Sequence, residues 1–130
     1  MVLARMVLII TGAVFAGYGA ACLLNPGMPA AYAGIELPSA SARVEMVAMY
    51  GGLQGAFGFF CLYLSAAPER LRPGLLLVLV ICGGLTAGRS FGLLVHGPSS
   101  YNLGALGYET LTTLVAAAAI MRMPGSAPRV

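Results

Sequence analysis

Charge is what this chain has least of. Only 8% of its residues are charged, against roughly a quarter in a soluble domain, and all seven basic residues are arginine. It carries one histidine and three cysteines, Cys22, Cys61 and Cys82, with no CxxC pair and no Cys/His ligand spacing. That excludes the common zinc sites and thioredoxin-like redox chemistry, so no metal and no cofactor is expected. The cysteines fall at different depths of different helices, where they read as small packing residues that no disulfide joins. No basic stripe with interleaved aromatics occurs, which argues against nucleic acid as a partner. No long Pro/Ser-rich linker divides the sequence, so residues 1–130 read as a single domain.

What the chain has instead is apolar length. Hydrophobic residues make up 59% of it, and the mean hydropathy is +0.90. Four apolar stretches, residues 6–24, 44–64, 74–95 and 103–121, each match the roughly 20 helical residues that cross a bilayer core. They are continuous rather than alternating, which excludes barrel strands, and only helices and closed barrels can span lipid. The fold class predicted is all-α, a four-helix transmembrane bundle. Residues 1–24 superficially imitate a signal peptide, but their apolar run exceeds the roughly 7–15 residues of a signal core, so a retained first helix is expected.

Arginine placement predicts the orientation. With four spans, Arg5, Arg70, Arg72, Arg122 and Arg129 share one side and Arg43 alone lies in the opposite loops. Positive charge beside span ends stays cytoplasmic, so both termini are expected inside. The outer loop from Asn25 to Ala42 contains Pro26, Pro29 and Pro38, which break a long helix, and a short turn is expected around Ala30 to Ala33. Tyr32 and Tyr101 are expected at headgroup level.

Glycine inside spans permits close backbone approach in lipid. Gly51 and Gly55, with Gly58 nearby, mark one ridge on the second helix; Gly84, Gly88 and Gly92 mark another on the third; Gly12 and Ala16 add a site on the first. The ridges are expected to pack closely inside the bundle, the alternative being that one of them faces another protomer or a larger protein.

The candidate functional residues are the charges within the spans. Arg89 and Glu109 fall at matching depth, each roughly 9 Å below the outer boundary, and Glu45 lies just under the outer end of the second helix. Ionisable groups at such depth face protein or water, and arginine can hold a carboxylate with two hydrogen bonds. An Arg89–Glu109 pair is therefore predicted, with Glu45 nearby as a second carboxylate. His96 stands seven residues after Arg89, and Asn102 seven before Glu109, on the same stripes. Tyr50 and Gln54 share a different face of the second helix from Glu45, so no single rotation favours all three.

Three segments, EMVAMYGGLQGAFG at residues 45–58, GGLTAGRSFGLLVHG at 83–97 and LGYETL at 106–111, with Asn25 and Pro26 after the first helix, resemble the bacterial membrane family catalogued as domain of unknown function 4345. The resemblance covers nearly the whole chain. It implies a compact four-helix protein of a bacterial inner membrane and puts Glu45, Tyr50, Arg89 and Glu109 in the family's pattern, with no catalytic role assigned to any.

The expected function is a small non-enzymatic integral membrane protein, either an accessory or assembly subunit or a lipid-binding protein with an outward-facing polar pocket. Its expected partners are the bilayer, other membrane subunits or further copies of itself, and a lipid or other amphipathic small molecule. The alternatives are a membrane enzyme using Glu45 or Glu109 as acid/base beside Arg89, or a small proton-coupled transporter with Glu109 as the coupling carboxylate. No reaction motif accompanies either alternative.

Overall fold

Serine caps, rather than hydropathy, decide where two of these helices begin. In the computed structural model, which describes residues 1–123, α1 spans Val2–Leu24, α2 Gly27–Ala33, α3 Ala40–Ser65, α4 Leu71–His96 and α5 Ser100–Met121. α3 starts before its apolar stretch because Ser39 accepts a hydrogen bond from the Ala42 backbone N–H at 3.1 Å, satisfying an otherwise unpaired first-turn donor. Ser99 does the same for α5 through Asn102 N–H. Pro73 sits in the first turn of α4, where a missing N–H costs nothing. The short α2 ends in a Schellman closure: Ile35 N–H donates to Ala30 O at 2.8 Å and Gly34 N–H to Ala31 O at 3.2 Å. Gly34 adopts φ 73° there, a conformation that favours glycine.

The four long helices, α1, α3, α4 and α5, are each long and apolar enough to cross a membrane, the signature of a multi-pass membrane protein. No strand occurs among the described residues. Large apolar side chains such as Val80, Phe91, Leu94 and Leu114 point outward, as expected of surfaces turned to lipid. Arg129 lies outside the described residues.

The helices pair as two antiparallel hairpins, α1 with α3 and α4 with α5, with lighter contacts between the pairs. The first hairpin is held by backbone contact. A Cβ built on Gly19 would lie 2.5 Å from Gly55 Cα, one on Gly51 would meet Leu23 at 2.9 Å, and one on Gly58 would collide with Ala16 N. Glycine is the side chain that this approach admits, so the row Gly12, Ala16 and Gly19 lies against Gly51, Gly55 and Gly58.

The hairpins join at the end that carries Met1, the Pro68–Arg70 turn and Met121, called here the terminal end. Leu8, Leu64, Leu71, Leu75 and Val78 form a buried cluster there, with Cys61, Cys82, Ala116 and Ala119. All three cysteines are free and buried. On α4 the core stripe runs Leu71, Leu75, Val78 and Cys82, and seven residues on, two turns further, stands Arg89. On α5 it runs Ala119, Ala116 and Glu109.

This phase leaves the ridge on α4, the third long helix, unpacked within the bundle, against the first of its two expected roles. Gly84, Gly88 and Gly92 make no close contact within the bundle, since a Cβ on any of them would meet nothing within 4 Å. The α4 face turned to α5 carries Gly83 instead, whose added Cβ would lie 3.6 Å from Thr113 Cγ2; Gly84 is about 100° further round the helix. Accordingly, Gly58→Ala should lower stability in detergent by about 1–3 kcal/mol, and Gly88→Ala should leave it unchanged. Thermal unfolding of the two variants side by side checks this.

Candidate functional site

Both ionisable residues of the site grow out of core-facing stripes, so the chain has no alternative to pairing them. Arg89 Nε donates to Glu109 Oε2 at 2.8 Å and Nη2 to Oε1 at 2.6 Å. The Glu109 side chain is 6% exposed and that of Arg89 22%. This is the only ion pair among the described residues. Arg89 Nη1 donates in addition to Asn102 Oδ1 at 2.6 Å. Asn102 is itself oriented, because its Nδ2 donates to Ser99 Oγ at 2.9 Å, which turns Oδ1 toward the guanidinium. A chain of hydrogen bonds thus runs from the α5 cap through Asn102 and Arg89 to Glu109.

The pair forms part of the wall of a crevice of about 520 Å³ between the two hairpins, within the usual range of small-molecule sites. Phe15, Phe57, Ile81 and Leu85 line its apolar part, while Tyr18, Tyr50, Gln54, Tyr101 and Tyr108 add polar groups. The Phe15 and Phe57 rings meet edge to face at 4.8 Å. At the end opposite the terminal one, the hydroxyls of Tyr18 and Tyr101 approach to 3.4 Å across the hairpins, and the Tyr32 ring of α2 stands edge-on to Tyr101 with centroids 5.6 Å apart. Tyr32, itself exposed, therefore touches Tyr101, which lines the crevice.

A second space of about 400 Å³ lies on the α4 surface, lined by Gly84, Gly88, Gly92, His96, Asn102 and also Arg89. The structure therefore gathers Tyr50, Gln54, Arg89 and Glu109 at the crevice and leaves the exposed His96 on the groove.

Glu45 departs from expectation. It is exposed, lines neither space and forms no ion pair. Its neighbour Met46 is buried with Cys22 and Ala30, against which Tyr50 also packs, so Glu45 is turned about 100° away from that contact. The segment Met46–Leu53 is a π-helix, a widened turn found frequently at functional sites. Sequence reading did not place Tyr18 or Tyr108 at the site; the one available signal was the position of Tyr108 beside Glu109 on the α5 stripe. Among the described residues no three His, Cys, Asp or Glu side chains group as a metal would require.

The family model described as Domain of unknown function (DUF4345) matches residues 3–120. The chain belongs to this family. No curated protein and no solved structure matches it. The family match spans both hairpins, and with them every residue of the crevice and the groove.

Breaking a buried ion pair by removing one partner costs about 3–5 kcal/mol, because the other charge is left unpaired. Arg89→Met should therefore destabilise the protein by about that amount, and adding Glu109→Gln should restore part of the loss. Glu45→Gln should change nothing. Denaturation of these variants in one detergent gives the comparison, and equal stability of the single and double variants would argue against the coupling.

Proposed function

We propose that this protein is a non-enzymatic, multi-pass protein of the bacterial inner membrane that binds an amphipathic molecule in the crevice between its hairpins. The observation that carries this reading is the composition of the crevice: apolar and aromatic walls from four helices around one fixed ion pair and several hydroxyls. Sites that bind lipophilic molecules combine such walls with a few placed polar groups. Against an acid/base enzyme or a proton carrier stands the occupancy of Glu109, both of whose oxygens accept from Arg89. A carboxylate so held is committed to the guanidinium rather than presented to a substrate.

The lightly buried α4 face, with its open row of Gly84, Gly88 and Gly92, is the surface through which an accessory role toward a membrane partner would act. The reading of orientation rests on arginine: Arg5, Arg70, Arg72 and Arg122 sit at one end and Arg43 at the other, which supports cytoplasmic termini, with the Tyr18–Tyr101 end of the crevice toward the outside. Carboxyl-terminal reporter fusions should then be active only in the cytoplasm; activity outside would invert the assignment.

Ala105→Trp tests occupancy, because Ala105 lines the crevice and an indole there fills it. Native mass spectrometry of the protein purified in mild detergent should show a retained amphiphile that the variant loses. Identical retention by both forms would count against the crevice as the binding site.

A further inference from the structure

We infer that the crevice selects an uncharged amphiphile, one whose head is a hydrogen-bond-accepting carbonyl or hydroxyl group, over anionic or cationic molecules with the same tail. This rests on the reading of the crevice as an amphiphile site and specifies the chemistry of its occupant.

The charge balance of the lining carries the inference. Arg89 and Glu109 are its only charged residues, and they neutralise each other through two hydrogen bonds of 2.8 and 2.6 Å. The site therefore sums to zero charge. An anionic head drawn to Arg89 meets the Glu109 carboxylate on the same guanidinium, and a cationic head drawn to Glu109 meets Arg89. Either ion would give up its hydration among Phe15, Phe57, Ile81 and Leu85 without an uncompensated counter-charge to replace it.

A neutral acceptor meets no such conflict and finds donors waiting. The guanidinium has five N–H groups, of which three are engaged, two by Glu109 and one by Asn102. Two remain, on a side chain that is part of the crevice wall. The Tyr50 hydroxyl and the Gln54 amide bring further donors from α3 on another wall. A carbonyl or hydroxyl oxygen can accept from these groups without disturbing the ion pair, while its tail lies along the aromatic walls.

Three photoreactive alkyl probes with the same diazirine-bearing tail, an alcohol, a sulfate monoester and a trimethylammonium salt, test this on the full chain in phosphatidylcholine nanodiscs. After irradiation, labelled positions are mapped by mass spectrometry. The alcohol should label the crevice residues about tenfold more than either ion, a preference worth about 1.4 kcal/mol. In Glu109→Gln, which leaves Arg89 without its carboxylate, the order should invert in favour of the sulfate. Equal or stronger crevice labelling of the wild-type protein by either ion overturns the inference while leaving amphiphile binding intact, as does an unchanged order in Glu109→Gln. Absence of crevice labelling by all three probes overturns the binding reading itself.

Discussion

A guanidinium and a carboxylate set into four apolar helices constrain everything around them. Neither charge can face hydrocarbon alone at acceptable cost, so α4 and α5 must rotate until Arg89 and Glu109 meet. Once they meet, the phase of both helices is fixed along their length. The stripe from Leu71 through Cys82 is turned to the core, Glu109 and Ala116 follow on α5, and Gly84, Gly88 and Gly92 are left facing away. The Ser99 cap extends this control to the end of α5 by orienting Asn102 on the third engaged N–H. Such a pair need not add net stability; the rotation of α4 and α5 in the structure is one that lets it form.

The two hairpins are held together by different physics. α1 and α3 approach until backbones touch, which leaves no room for a side chain at Gly19 or Gly58. α4 and α5 are stapled through side chains. At the terminal end leucine packing seals one hairpin to the other, and at the opposite end the bridging contact is the Tyr18–Tyr101 hydroxyl pair. The crevice lies between these seals. Its neutrality and its aromatic walls are thus consequences of how the hairpins are built, which is why fold and proposed function are hard to separate.

The long helices could be read from hydropathy because lipid forces every span to be continuous and helical. Arg89 and Glu109 could be picked out because two charges at equal depth in adjacent spans have few other solutions, and they lie 2.6 Å apart. Helix phase was harder. A glycine row marks a face that can pack closely but does not say which neighbour it meets, and Gly51 and Gly55 lie against α1 while Gly84 and its successors face open space. Glu45 and Tyr50 could not both face inward, and the π-helical turn between Met46 and Leu53, invisible in hydropathy, runs through Tyr50. Tyr18 and Tyr101 meet only through tertiary structure, across 83 residues of sequence, so local periodicity carries no trace of their contact. The extra residues at the helix starts followed from serine caps that lie outside any apolar window.

The account depends on Arg89 and Glu109 touching inside a bilayer. Solid-state NMR of the protein in lipid, with arginine side-chain nitrogens labelled ¹⁵N and glutamate carboxyl carbons ¹³C, measures this directly. Because one Arg–Glu ion pair occurs among the described residues, uniform labelling by residue type suffices. Strong nitrogen–carbon dephasing that disappears in Glu109→Gln is the expected result, and no dephasing in the wild-type protein would contradict the pair, the register it sets and the neutral crevice built on it.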